Sequence, residues 1–189
     1  HGCFGKESRQ RGFENLFIQR FAPNLHVRSV YDIDLNALKG QGVKGIIVDL
    51  DNTLVASNEP DATPEVVNWM GRVKNLGFQL VIVSNNSKSR VARFAQPLEI
   101  PFIYKAKKPL RFAFSEVLSR LGLAKKEVVV VGDQLLTDVL GGNLMGLYTV
   151  LVIPVSKTEG IGTKINRGFE RILMSWLKKK GYLTWEEKS

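Results

Sequence analysis

The sequence predicts an α/β fold of the doubly wound, Rossmann-like class, with a parallel five-stranded sheet and helices on both faces. Short apolar runs rich in β-branched residues alternate along the chain with stretches of helical periodicity. Apolar runs without strict polar alternation indicate strands that are buried on both faces, as in a parallel sheet. Regular strand–helix alternation predicts such a sheet, with right-handed connections. The five predicted strands are Val43–Asp49, Phe78–Ser84, Pro101–Tyr104, Glu127–Gly132 and Tyr148–Ile153.

Capping residues delimit four predicted helices between these strands. Thr63 is a suitable N-cap, and Pro64 fits the first turn of a helix that extends to Gly77. Pro97 ends the second helix because proline cannot continue one, and Gly122 ends the third because glycine accepts a left-handed C-terminal cap. The predicted helices are 64–77, Lys88–Gln96, Leu110–Leu121 and Leu135–Leu144.

Length and composition indicate one domain with short appendages. The chain has 189 residues, 44% of them hydrophobic, which suffices for a core without disulfides. Its single cysteine, Cys3, cannot form an internal disulfide, and no CxxC metal spacing occurs. Residues 1–12 are polar and patternless, and are interpreted as a vector-derived or disordered segment. Residues 13–42 are predicted to pack on or beside the core as an N-terminal appendage, and residues 43–189 to form the main domain with a C-terminal amphipathic helix.

The net charge of +9 favours an anionic partner, which is nucleic acid, anionic lipid or a phosphorylated substrate. We expect a cytoplasmic protein, because neither an apolar run of about 18 residues nor a signal peptide is found. An apolar stripe precedes Pro23 near the start of the chain, and apolar residues recur at helical spacing near its end, where they are interleaved with basic residues. That C-terminal helix either lies on an anionic membrane, making the protein peripheral, or packs on the sheet or the N-terminal segment. The residues are Phe13, Leu16, Phe17 and Phe21 at one end, and Ile165, Phe169, Ile172, Leu173, Trp176 and Leu177 at the other.

Two aspartates stand at and just after the end of the first predicted strand, at the sheet edge where ligands bind in folds of this class. Asp49 and Asp51 belong to the sequence DLDNT, which ends at Thr53. One carboxylate can attack a phosphoryl group, and a second carboxyl group can donate a proton to the leaving oxygen. The alternative is an aspartate cluster that caps turns at the end of a strand.

Polar residues also follow the later strands. Ser84 and Asn85 precede a helix, where a hydroxyl group and free backbone N–H groups can hold phosphate. Lys108 is a candidate phosphate ligand, and Asp133 and Asp138 offer the oxygen ligands that Mg²⁺ prefers. Each of these residues has an ordinary alternative role when it is considered alone. Ser84 or Asp133 could cap the helix that follows it, Asp138 could lie on the exposed face of its helix, and Lys108 could belong to a solvated run of lysines.

In their order and position these motifs resemble those of the haloacid dehalogenase (HAD) superfamily of phosphohydrolases, over about residues 43–154. The resemblance implies an enzyme, a Mg²⁺-dependent phosphate monoester hydrolase with an aspartyl-phosphate intermediate. It implies catalytic roles for Asp49 as nucleophile and Asp51 as general acid/base. It implies metal binding by Asp49, the Asp51 backbone carbonyl and Asp133, phosphate binding by Ser84, Asn85 and Lys108, and support from Thr53 and Asp138.

The spacing of the motifs leaves no room for a cap domain. Ser84 lies 31 positions after Thr53, and Lys108 lies 24 positions after Ser84. In the superfamily that the chain resembles, members without a lid often act on large or surface-bound substrates.

The chain is also similar to the YqeG-like branch, related to the phosphatidylglycerophosphate phosphatases. The matching stretches are Val48–Val55 (VDLDNTLV), Ile100–Pro109 (IPFIYKAKKP) and Val131–Gly142 (VGDQLLTDVLGG). This similarity implies phosphatidylglycerophosphate, an anionic lipid at a membrane surface, as a candidate substrate.

Two other functions stay open at this point. The first is a phosphatase for a soluble phosphate ester or a phosphoprotein, which the same residues would serve. The second is an RNA- or ribosome-binding module with a vestigial site, which the basic charge favours. The complete set of expected catalytic positions argues against a vestigial site.

Overall fold

A six-stranded parallel sheet forms the centre of the fold. The structure is a computed structural model that describes residues 16–156 and 161–183. The strands are arranged in the order β1-β6-β5-β2-β3-β4, and all neighbours are parallel. Their bounds are β1 Leu25–Val27, β2 Gly45–Val48, β3 Gln79–Val83, β4 Phe102–Ile103, β5 Val128–Gly132 and β6 Tyr148–Val152.

The predicted fold class is confirmed, but the predicted strand count was wrong because β1 was missed. This strand lies at the sheet edge and pairs with β6, with Leu25 opposite Val150. Asn24 holds the start of β1 in place, since its Oδ1 accepts a hydrogen bond from the Thr149 N–H at 2.9 Å. Three residues are too few to show an apolar run or an alternation of apolar and polar residues. Only its pairing with the distant strand β6 therefore defines β1.

Six α-helices from Leu35 onward, besides a helical segment at residues 16–19, connect and cover the strands in the described part of the chain. Thr63 caps α2 as predicted, because its Oγ1 accepts a hydrogen bond from the Val66 N–H at 3.3 Å. Gly122 ends α4 in the left-handed conformation, with φ of 64°. The predicted helix 135–144 begins instead with a π-helical turn over Leu135–Val139. The helices are α1 Leu35–Gly40, α2 Pro64–Asn75, α3 Lys88–Ala95, α4 Phe112–Leu121, α5 Leu140–Met145 and α6 Ile161–Lys179.

Alternate residues of the central strands are buried on opposite faces of the sheet, as the doubly wound class requires. Ile46 and Val48 belong to a core cluster that includes Trp69 of α2 and Phe94 of α3. Ile47, between them, belongs to a second cluster that includes residues of α4. Apolar residues at successive positions therefore all find a core, which explains why the sequence of β2 does not alternate.

The helical segment at residues 16–19 and α6 share a third cluster beside β6. Ile18 and Leu177 are fully buried in it, together with Leu151. One face of α6 thus packs on the core and the N-terminal segment, whereas Phe169 and Ile172 on the same helix stay exposed. No helix of the described ranges is long and apolar enough to span a bilayer. Residues 1–12, Phe13 and the Ile165 side chain lie outside the described residues.

The loops that follow β2 and β3 hold no inserted cap domain, as the spacing of the motifs predicts. The chain runs from β2 to α2 through a single loop, residues 49–63, and from β3 to α3 through residues 84–87. The first loop covers one side of the site, where the Ser57 N–H donates to Asn52 Oδ1 at 3.3 Å. No inserted domain therefore covers the carboxyl edge of the sheet at the ends of β2 and β3.

Candidate active site

The loop after β2 places two aspartates at one pocket. The Asp49 N–H donates to the Val131 carbonyl at 2.9 Å, which extends the sheet by one residue and fixes the first aspartate. Asn52 then adopts a left-handed conformation, with φ of 63°, and its N–H donates to the Val55 carbonyl at 2.7 Å. Asparagine tolerates this conformation better than most residues. The tight turn brings Asp51 to the same pocket that Asp49 lines.

Lys108 lies between two buried carboxylates. Its Nζ is 2.8 Å from Asp49 Oδ1 and 2.6 Å from Asp138 Oδ1, and its side chain is only 3% exposed. The Asn85 side chain holds the lysine backbone from both sides, since its Oδ1 accepts from the Lys108 N–H at 2.7 Å and its Nδ2 donates to the Lys108 carbonyl at 3.2 Å. Asn85 therefore positions the lysine, in addition to any contact with phosphate.

Three buried carboxylates form a cluster that can hold a cation. Asp49, Asp133 and Asp138 each offer an oxygen atom, and these atoms lie within 4.8 Å of one another. Lys108 balances one of the three negative charges, which leaves an excess of two. Oxygen ligands with this charge suit a divalent cation such as Mg²⁺, so the residues fit the metal expected from the sequence.

The surrounding residues hold these carboxylates in place. Thr53 Oγ1 donates to Asp133 Oδ1 at 3.2 Å, and the Gln134 N–H donates to Asp138 Oδ2 at 3.3 Å. Gly132 ends β5 directly beside Asp138. A Cβ atom on this glycine would lie 2.2 Å from the Asp138 carboxyl carbon, so only glycine permits the approach.

The electrostatics of the site oppose full ionisation of Asp49. Burial raises the pKa of Asp49 from its ordinary 3.8 to about 6; Lys108 acts against this rise, whereas Asp138 and Asp51 add to it. Burial also acts to lower the pKa of Lys108, but the carboxylates of Asp138 and Asp49 outweigh it and hold that pKa above its usual range. A bound divalent cation would relieve the remaining repulsion between the carboxylates.

Asp51 faces a different set of partners. Its Oδ1 accepts from Arg90 Nε at 3.0 Å, and its Oδ2 accepts from Asn86 Nδ2 at 2.9 Å. Arg90 also donates to the Pro60 carbonyl at 3.0 Å and so ties α3 to the loop over the site. Neither partner was predicted. The position of Asn86, two residues after Ser84, could have indicated its contact with the site, but no local pattern links an arginine to an aspartate 39 positions away.

The predicted residues meet around one polar pocket of about 360 Å³. Ser84 is fixed at its floor, because its N–H donates to the Ile103 carbonyl at 2.9 Å and its Oγ accepts from the Asn86 N–H at 3.1 Å. Asp133 and Asp138 are buried next to the pocket rather than in its lining. The lining includes Asp49, Asp51, Ser84, Asn85, Lys108 and Thr137.

Comparison with known proteins identifies the family. A family profile described as "Mitochondrial PGP phosphatase" matches residues 14–156. The chain belongs to this family. It is 49% identical over 167 residues to "Probable phosphatase YqeG" of Bacillus subtilis, covering 88% of the chain and 97% of that protein. The prediction of a HAD phosphatase of the YqeG-like branch is thereby confirmed.

More distant similarities agree with this membership in the PGP phosphatase family. The chain is 30% identical to "Phosphatidylglycerophosphate phosphatase 1, chloroplastic/mitochondrial" of Arabidopsis thaliana, over 83% of the chain but 48% of that relative. A crystal structure of an uncharacterized protein from Listeria monocytogenes serotype 4b superposes with a TM-score of 0.50 at 17% identity, covering 70% of the chain and 99% of that structure. The structural match supports the fold alone.

Proposed function

We propose that this phosphatase hydrolyses phosphate monoesters in a Mg²⁺-dependent reaction through an aspartyl-phosphate on Asp49, and that its substrate is phosphatidylglycerophosphate. One observation carries the chemical part of the proposal: Lys108 Nζ bridges Asp49 and Asp138 beside a polar pocket. Such a cation holds the nucleophile ionised and attracts the phosphoryl oxygens.

The proposed reaction has two displacements at phosphorus. A carboxylate oxygen of Asp49 forms a bond to phosphorus while the bond to the leaving oxygen breaks, and Asp51 gives that oxygen a proton. Water then attacks phosphorus, Asp51 accepts its proton, and the acyl-phosphate bond breaks. Inorganic phosphate leaves and Asp49 is restored. Ser84 Oγ and Lys108 Nζ hold the phosphoryl oxygens in both steps.

We assign the cation site to Asp49, Asp133 and the Asp51 backbone carbonyl, with Asp138 beside them. When bound, Mg²⁺ would neutralise charge on the carboxylates and on the phosphoryl oxygens. Arg90 and Asn86 keep the Asp51 carboxylate apart from this cluster, where its environment differs from that of Asp49. Such separation suits two carboxyl groups with different tasks.

The lipid substrate is supported by the family and by the shape of the site. Several relatives are phosphatidylglycerophosphate phosphatases by name. The pocket is open and has no inserted domain above it, which suits a headgroup that remains attached to a membrane lipid. A soluble phosphate ester is the competing substrate class, and the relatives named above give no support to an RNA-binding function.

Phosphate release tests the proposal directly. The purified protein is assayed with phosphatidylglycerophosphate in mixed micelles and with a panel of soluble esters, in Mg²⁺ and in EDTA. We expect Asp49→Asn to lower kcat by about a thousandfold or more, since no intermediate can form on an amide. Asp61→Asn is the matched control, because Asp61 is an exposed surface carboxylate.

Each part of the proposal has its own contrary result. Activity of Asp49→Asn equal to that of Asp61→Asn would remove the nucleophile assignment. Full activity in EDTA would remove the metal requirement. A preference for a soluble ester over the lipid would keep the phosphatase and reject the proposed substrate.

A further inference from the structure

We propose that residues 104–112, which are the loop after β4 and the first residue of α4 and are here called the rim loop, dock the enzyme on an anionic lipid bilayer. This inference rests on the lipid substrate proposed above, and it concerns how the pocket reaches a phosphate that stays in a membrane. The headgroup of a bilayer lipid does not leave the interface, so the pocket must be carried to it. The rim loop follows β4 at the carboxyl edge of the sheet, on the side where the pocket opens.

The rim loop exposes three large apolar or aromatic side chains. Phe112 is 78% exposed and Leu110 is 59% exposed, and Tyr104 is exposed as well. A cluster of such side chains in one short segment is typical of an interaction site. Aromatic and leucine side chains suit the boundary between lipid headgroups and acyl chains. Insertion into that boundary would remove them from water.

The backbone of the rim loop turns two cations outward. Lys105 and Lys107 are exposed and have φ of 46° and 55°, whereas Ala106 and Lys108 are buried. Left-handed conformations are uncommon for residues other than glycine and cost energy, and two of them stand here within three residues. The result is a loop that directs one lysine into the pocket and two lysines to the surface.

The charge of the rim loop fits an anionic bilayer. Arg111 of the same loop is exposed as well, and Lys88 Nζ lies 5.9 Å from the centre of the Tyr104 ring. The loop contains no acidic residue. An anionic leaflet attracts each basic side chain near its surface. Single-stranded nucleic acid would satisfy the cations as well and would stack a base on Phe112, but it would leave the aliphatic Leu110 in water, so the combination favours lipid.

The rim loop is joined to the catalytic groups by short hydrogen bonds. The Lys105 N–H donates to the Asn86 carbonyl at 2.9 Å, and the Ala106 N–H donates to the Ser84 carbonyl at 3.0 Å. Lys108, in the same loop, contacts Asp49. A bilayer on the outer side of the loop would therefore hold its headgroups beside the pocket mouth. Docking and substrate presentation would then be one event.

Vesicle cosedimentation tests this surface. The full chain is mixed with vesicles of phosphatidylcholine, with or without phosphatidylglycerol, at low and high salt. We expect binding only with phosphatidylglycerol, weakened by salt, and a loss of affinity of about tenfold or more in Leu110→Ser/Phe112→Ser. Lys105→Gln/Lys107→Gln should remove most of the salt dependence. Ile172→Ser is the matched control, because Ile172 is 71% exposed on α6, which packs beside β6 and is separated from β4 by three strands of the sheet.

The outcomes separate docking from catalysis. The proposal is overturned if the parent protein does not bind vesicles or if Leu110→Ser/Phe112→Ser binds them like the parent. It is also overturned if the protein prefers an RNA oligonucleotide to vesicles. Loss of binding in Ile172→Ser alone also overturns it and moves the docking surface to α6. Hydrolysis of p-nitrophenyl phosphate and thermal unfolding check the pocket and the fold of every variant. Vesicle binding without hydrolysis of any phosphate ester would refute the proposed function and leave the docking proposal intact. Hydrolysis without vesicle binding would refute docking and leave the phosphatase function intact.

Discussion

Replacing Lys108 by methionine tests the charge balance on which the site depends. The methionine side chain has a similar length and no charge, so the change removes the cation with little change in volume. Asp49 and Asp138 would then face each other without the ammonium group that now contacts both, at 2.8 and 2.6 Å. Both carboxylates are largely or fully buried, so solvent compensates their charge less well than the lysine does.

The expected loss of stability is large. Removing one partner of a buried ion pair costs about 3–5 kcal/mol, because a charge is left uncompensated in a medium of low polarity. The loss should grow with pH. Folding already raises the pKa of Asp49 to about 6, and loss of the lysine raises it further. A raised carboxyl pKa stabilises the fold at low pH, and this contribution is lost as the pH rises through the folded pKa.

Urea unfolding at pH 5 and pH 8, in EDTA and in Mg²⁺, measures these effects. Lys105→Met is the matched control, an exposed lysine in the same loop, with an expected change within about 0.5 kcal/mol. The deficit of Lys108→Met should be largest at pH 8 in EDTA and smaller in Mg²⁺, since the metal offsets the same carboxylates. Equal stability of the two variants, or a deficit that Mg²⁺ does not change, would refute this account of the site.

Three further predictions address other features of the structure. Gly132→Ala should cost about 1–3 kcal/mol and weaken Mg²⁺ binding, because the added Cβ would displace the Asp138 carboxylate; unchanged unfolding and an unchanged Mg²⁺ titration would contradict this. Arg90→Ala should lower kcat by about tenfold or more, and more for alkyl phosphates than for p-nitrophenyl phosphate, because Asp51 is displaced and a poor leaving group depends most on its proton; equal losses on both substrates would reject the positioning role. Burial, and to a smaller extent the positive charge of Lys178, lower the pKa of His26 in the folded protein. Because the unfolded chain then binds a proton more readily than the folded protein, the parent should lose stability below pH 6.5. The stability gap between the parent and His26→Gln should therefore narrow from pH 8 to pH 5, and a constant gap in urea unfolding would contradict it.

Local signals in the sequence were sufficient to predict the central part of the fold. The apolar run of β2, the proline and threonine that start α2 and the glycine that ends α4 act through neighbouring residues, so they can be read along the chain. The motif positions followed from one topological rule, because the carboxyl ends of parallel strands meet at one edge. Asp49, Asp51, Ser84 and Lys108 lie at one pocket for this reason.

Tertiary structure alone decided the features that depend on residues distant in the sequence. The pairing of β1 with β6, the contact of Arg90 with Asp51 and the hold of Asn85 on the Lys108 backbone join segments that have no shared local pattern. Helical periodicity identified the apolar residues of α6, but it did not show that Leu177 would be buried and Ile172 exposed. That division depends on where the helix meets the rest of the fold, which is a property of packing and not of the helix itself.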